Sequence, residues 1–171
     1  MTDSLFQATK STIMVVDDDP DLVDILRATL EQREFNVMCA YSGSQALAGL
    51  EKQKPNLIVL DIMMPEMDGL EVLRRLKAAP DTSSIPIILL SALDHLKDIS
   101  TGYEMGADHY ITKPFKSAHL MTVIDHLLSG DRRHSVECLY EGQYANVQDK
   151  VTIHQKIILE MDNELPKMRS K

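Results

Sequence analysis

The chain has 171 residues, 44% of them hydrophobic and 26% charged, with a formal net charge of −8 and two cysteines. That length and composition fit one ordinary globular domain whose core needs no disulfide framework. The acidic balance disfavours nonspecific binding to nucleic acid or anionic lipid, the N-terminus lacks a signal-peptide apolar region and no apolar run is long enough to span a membrane, so a reducing cytoplasm is the expected location.

Residues 1–11 are polar and read as a frayed, disordered N-terminus. Ile13–Val16 is a short β-branched run, too short for a helix, that stops at Asp17-Asp18-Asp19-Pro20. Asp19 suits an N-cap and Pro20 the first helical position, and Leu22, Val23, Ile25, Leu26 and Leu30 follow at helical spacing. Val37–Tyr41 reads as a second strand, and Ser42–Lys52 as a second helix with Ala46, Leu47 and Leu50 inward. Leu57–Leu60 is a third strand ending at Asp61. A loop holding Pro65 and Gly69 leads to a third helix, Leu70–Lys77. Ile87–Leu90 is a fourth strand ending at Ser91. A helical stretch from Asp94 to Met105 is capped by Gly106. Asp108–Thr112 is a fifth strand ending at Lys113-Pro114, and Ser117–Ser129 a fifth helix closed by Gly130.

Strand and helix alternate five times, and four of the strands are near-continuous apolar runs, as strands covered on both faces must be. Such alternation implies a parallel, doubly wound α/β sheet with right-handed crossovers. A sheet of this kind places its site beyond the carboxyl ends of the strands. The strand ends deliver Asp17, Asp18, Asp61, Ser91 and Lys113 to one rim. The charge distribution agrees: residues 1–130 hold 11 basic and 19 acidic side chains, whereas 131–171 hold 7 of each. Three carboxylates together repel unless a cation joins them, and oxygen-only ligands suit hard Mg²⁺. One Mg²⁺ and Lys113 bring the three carboxylates to neutrality, which lets one of them accept a phosphoryl group.

Val15-Val16-Asp17-Asp18, then Asp61-Ile62-Met63-Met64-Pro65-Glu66-Met67-Asp68-Gly69, then Ser91-Ala92 and Lys113-Pro114-Phe115, each at a strand end, resemble the receiver domain of two-component response regulators. The resemblance implies a flavodoxin-like (CheY-like) sheet of order 2-1-3-4-5 over residues 12–130. It implies that Asp61 is the phosphoacceptor, attacking a phosphohistidine on a sensor histidine kinase or phosphotransfer protein. Asp18, Asp61 and the backbone carbonyl of Met63 are implied as Mg²⁺ ligands, with Asp17 joining directly or through water. Lys113 would neutralise phosphoryl charge, Ser91 would turn its hydroxyl to the phosphoryl group, and Tyr110 would change rotamer as Ser91 moves. A cis Lys113-Pro114 bond fits the family's pattern. Met63 and Leu93, two residues after Asp61 and Ser91, flank the path of hydrolytic water in receivers, and their apolar character implies slow self-dephosphorylation. No enzymatic turnover beyond self-phosphorylation and self-dephosphorylation is expected.

Two other classes fit less well. A haloacid dehalogenase-type phosphatase needs an acid two residues after its nucleophile, where this chain has Met63. A flavin site conflicts with acidic strand ends that repel phosphate. A homodimer would form through the 140–165 helix or, as the resemblance implies, through the face of the fourth helix, fifth strand and fifth helix, but His119 and Val123 stand where the salt-bridged version of the latter has Glu and Arg. Residues 131–171 read as a helical extension: Tyr140, Tyr144, Val147, Val151, His154, Ile158, Met161 and Leu165 form a heptad seam. The 140–165 stretch is then a short coiled coil, a helix folded back on the receiver, or a linker to an absent output domain of a larger effector enzyme or transcription factor. No direct nucleic-acid or membrane contact by this chain is expected.

Overall fold

The computed structural model describes residues 10–92 and 105–129. Among them, β1 (Thr12–Val16), β2 (Asn36–Ala40), β3 (Leu57–Asp61), β4 (Ile87–Ala92) and β5 (His109–Lys113) form one sheet. All its pairings are parallel and the order is β2-β1-β3-β4-β5, as the alternation and the resemblance implied. The helices are α1 (Pro20–Gln32), α2 (Gly43–Lys52), α3 (Gly69–Ala78) and α4 (Ser117–Ser129), the last being the fifth helix of the sequence reading. The stretch read as a helix ending at Met105 lies outside the described residues save Met105 itself. So do residues 1–9 and the whole 131–171 extension with its heptad seam.

Every residue of β1 and β3 is buried, because each strand lies inside the sheet and is covered on both faces. Alternate side chains feed two separate cores. Met14, Val16, Ile58, Leu60, Ile87 and Leu89 pack with Ala46 and Leu50 of α2 and Val72, Leu73 and Leu76 of α3. Ile13, Val15, Leu57, Val59, Ile88 and Leu90 pack on the other face with Val23, Leu26 and Leu30 of α1 and Leu120, Val123 and Ile124 of α4. β2 lies at the sheet edge and is half-exposed over most of its length, so its apolar pattern is weak. The strand accordingly begins and ends one residue earlier than the pattern predicts.

Local chemistry fixes the chain where it leaves each strand. The Asp19 carboxylate accepts from the backbone N–H groups of Asp21 and Leu22, capping α1 as expected. Ser42 caps α2 through the N–H of Gln45, and Asp68 caps α3 through the N–H of Glu71. Gly69 opens α3 directly against the end of β3: its N–H donates to the Ile62 carbonyl at 2.9 Å. A Cβ on Gly69 would overlap the Asp61 carbonyl oxygen and lie 2.9 Å from Ile62 Cα. Gly106, read from the sequence as a helix cap, takes a φ of +93°, the left-handed region that favours glycine.

The opposite end of the sheet is tied by a lysine. Lys77 Nζ donates to the carbonyls of Ser83 and Ile85, at 3.3 and 3.1 Å, and to Asp108 Oδ2 at 3.1 Å. The same carboxylate oxygen accepts from the N–H of Ile87 at 2.9 Å, so one cluster clamps the starts of β4 and β5. At the start of β5, His109 is buried at 4% exposure with its ring 6.4 Å from that of His119 on α4.

Two outcomes follow for stability. Burial, reinforced by His119 and His126, pushes His109 down to about 4, so the folded chain holds it neutral while the unfolded chain protonates it near 6.5. The unfolded state therefore binds more protons as pH falls from about 6.5 to about 4, and this residue removes up to about 3 kcal/mol of stability over that window. Urea unfolding of the wild type and of His109→Gln at pH 7.5 and 5 measures it, and the variant's loss on acidification is the smaller. Gly69→Ala forces backbone at the end of β3 to move and costs about 1–3 kcal/mol, read as a lowered urea midpoint.

Candidate functional site

The parallel register brings the carboxyl ends of the strands to one rim. Asp17 follows β1 directly, Asp61 ends β3, Ser91 sits one residue before the end of β4 and Lys113 ends β5. Asp61 pairs with Leu90, Ser91 with Thr112 and Ala92 with Lys113 across neighbouring strands. By this register Ser91 stands one residue and Lys113 two residues beyond the level of Asp61, so residues far apart in sequence gather at one end of the sheet. Carboxylate oxygens of Asp17, Asp18 and Asp61 all lie within 4.8 Å of one another.

Their environments differ. Asp17 and Asp61 are almost fully buried, at 1% and 2% exposure, whereas Asp18 is exposed. Lys113 Nζ bridges the buried pair, 2.6 Å from Asp17 Oδ2 and 2.6 Å from Asp61 Oδ1. Asp17 is also oriented by the Asp19 N–H, which donates to its Oδ1 at 3.0 Å. Burial raises the Asp61 carboxyl, with the hydrogen bond from Lys113 opposing the rise and Asp17 and Asp18 adding to it. Burial would lower Lys113, but its bonds to Asp17 and Asp61 outweigh that and hold the ammonium charged.

Three carboxylates and one ammonium leave two negative charges, which match one divalent cation. The donor set is oxygen only, and the oxygens are close enough to share one ion. The residues therefore fit a hard cation on this structure's own geometry. Met63, the other ligand implied by the resemblance, follows Ile62 at the apex of a tight turn in which the Met64 N–H donates to the Ile62 carbonyl at 3.2 Å. Its side chain is 55% exposed.

Ser91 is fully buried at the rim, and Tyr110 lies buried one strand away in the core shared with α2 and α3. The Lys113-Pro114 bond is cis, as the family pattern implied. All the predicted site residues of strands 1, 3, 4 and 5 are thus brought to one end of the sheet or directly beneath it. Sequence reasoning passed over Gly69 as a residue of the site, although it presses α3 onto the Asp61 backbone. Its only local signal was a glycine after Asp68, which reads equally as a turn. It also passed over a groove of about 320 Å³ beside the rim, lined by Leu22, Ile25 and Leu26 of α1 and by Lys113, Pro114 and Phe115. Ile25, 58% exposed, and Tyr41, 40% exposed just after β2, add apolar surface at the same end of the molecule.

Comparison with known proteins agrees with this geometry. The sequence model of the response regulator receiver domain matches residues 13–125. A curated relative, Probable transcriptional regulatory protein TcrX of Mycobacterium tuberculosis, is 36% identical over 140 residues, which are 82% of this chain and 58% of the relative. The chain thus spans somewhat over half the length of that relative. The signal receiver domain of a signal transduction histidine kinase from Syntrophus aciditrophicus superposes with a TM-score of 0.67 at 37% identity, covering 74% of this chain and 96% of that one. The receiver domain of the Francisella response regulator 1452 gives 0.65 at 30% identity, covering 70% and 98%. The chemotaxis response regulator CheY4 of Vibrio cholerae gives 0.66 at 26% identity, covering 70% and 100%. With the family matched across the sheet and the strand order shared, this chain belongs to the receiver domains of two-component response regulators.

Proposed function

We propose that this receiver takes a phosphoryl group onto Asp61 from a phosphohistidine of a sensor histidine kinase or phosphotransfer protein. The observation that carries the reading is the bridge from Lys113 to the two buried carboxylates, with Asp18 beside them, because it leaves a charge deficit that one divalent cation fills. Asp17, Asp18, Asp61 and the Met63 carbonyl are the residues that would hold Mg²⁺, which when bound supplies positive charge to the phosphoryl oxygens. An Asp61 carboxylate oxygen attacks phosphorus, the P–N bond to the donor imidazole breaks, and an acyl phosphate forms. Lys113 Nζ shifts from Asp61 to a phosphoryl oxygen and keeps its contact with Asp17. Ser91, one residue beyond the level of Asp61 on the neighbouring strand, donates its hydroxyl to another phosphoryl oxygen. Tyr110, one strand over, follows that movement and changes the surface around β5 and α4, where a partner or a second copy binds.

The groove along α1 and Phe115, with exposed Ile25, places apolar surface beside the rim, where a protein donor would dock. The site chemistry serves signalling, with loss of the phosphoryl group to water as its only turnover. A second reading, the regulatory part of a larger effector, is favoured by TcrX, a transcriptional regulatory protein of which this chain spans 58%. The reading of residues 131–171 as an extension belongs to either case. For location, the structure adds that no helix among the described residues is long and apolar enough to cross a membrane.

Intact mass after incubation with acetyl phosphate tests the site. The wild type gains one phosphoryl group with Mg²⁺ and none after chelation, and Asp61→Asn gains none under either condition. Light scattering on the same samples shows a doubled mass if output is a dimer and a constant mass if output is partner binding. Once phosphorylated, the wild type decays slowly; exchanging Met63 and Leu93 for polar residues shortens the half-life by about fivefold, the worth of one hydrogen bond to the attacking water. An unchanged decay rate would remove the apolar pair from the explanation.

A further inference from the structure

Seven methionines lie among the described residues, and their exposure is unequal. Met14, Met64 and Met121 are buried, and Met38, Met67 and Met105 are half-buried against the sheet and its helices. Met63 alone among them is exposed, at 55%. It is also held in place. The Met64 N–H and the Gly69 N–H both donate to the Ile62 carbonyl, so the backbone on either side of Met63 is pinned and the residue is presented at the apex of the turn. The turn lies two residues from Asp61, which ends β3 at the rim with its carboxylate buried.

A thioether at such a place is chemically available. Its sulfur lone pair attacks one oxygen of a peroxide, the O–O bond breaks, the sulfur is oxidised to a sulfoxide and the peroxide is reduced to water. The product replaces an apolar side chain by one with a strong hydrogen-bond acceptor. We propose that Met63 is an oxidation site at the mouth of the Asp61 pocket, and that its sulfoxide shortens the life of the phosphorylated chain. This rests on the reading of Asp61 as phosphoacceptor. An apolar side chain at the mouth gives water no partner there, whereas a sulfoxide oxygen orders water beside the acyl phosphate. A reductase that returns the oxygen as water, at the expense of two thiols, restores the apolar side chain and the longer lifetime. The lifetime of the signal is thereby coupled to peroxide.

The test uses the full chain and hydrogen peroxide. In a graded peroxide series without phosphorylation, peptide mass mapping gives the sulfoxide fraction at each methionine. Met63 is expected to oxidise ahead of Met38, Met67 and Met105. Treated and untreated samples are then phosphorylated with acetyl phosphate and Mg²⁺, the donor is removed and phosphoryl loss is timed. The oxidised form is expected to decay about fivefold faster, the factor of one added hydrogen bond to water. Methionine sulfoxide reductase with a thiol restores the slow decay, and in Met63→Leu the treated and untreated half-lives agree. Met63 oxidising no faster than the half-buried methionines, or a half-life indifferent to oxidation, overturns the proposal. Failure of the untreated chain to take any phosphoryl group overturns the reading of Asp61 and this proposal with it, and the oxidation map shows which of the two failed independently.

Discussion

The rim of this molecule depends on one ammonium placed between two buried carboxylates. Lys113 Nζ lies 2.6 Å from Asp17 and from Asp61. Buried charges are costly unless paired, and here a single cation serves two anions. The arrangement is stable enough to exist and remains short of neutral. That shortage is the charge that one divalent ion would fill. The parallel register supplies the distances, because β1 and β3 end at adjoining levels and β5, with β4 between it and β3, carries Lys113 two residues further.

The rest of the fold serves that convergence from below and from the side. Two separate cores, one on each face, hold the sheet as a rigid plate, so strand ends are placed by packing that the site itself does not share. The Lys77 and Asp108 cluster fixes the opposite ends of β4 and β5. Gly69 seats the first turn of α3 on the backbone of Asp61, which leaves the phosphoacceptor candidate little freedom to retreat.

Much of this was legible in the amino acids, for definite physical reasons. β1, β3 and β4 announce themselves because burial on both faces demands unbroken apolar runs. The residues that end those runs stand out because charge and hydroxyl have no cheap place at a buried strand end. Asp19 followed by proline marks the start of α1 through purely local bonding. What escaped depends on contacts between distant segments. Gly69 looks like any turn glycine until α3 is laid on β3. His109 looks like a polar strand start until α4 covers it and two further histidines come near. Lys77 and Asp108 are 31 residues apart and declare nothing about one another. The β2 boundaries slipped by one residue because an edge strand is only partly patterned by burial.

The order of the strands also bears on how the protein comes into being. A ribosome delivers chains from the N-terminus, so Asp17 and Asp61 emerge well before Lys113. β3 lies between β1 and β4, and the three are able to pair while β5 is still unmade. In that nascent sheet the two carboxylates face one another without their lysine. Repulsion then resists closure of the rim, and the docking of β5 at the free edge of β4 relieves it. β5, the last strand in chain order among the described residues, carries the counter-charge, so completion of the sheet and partial neutralisation of its acidic end are a single event.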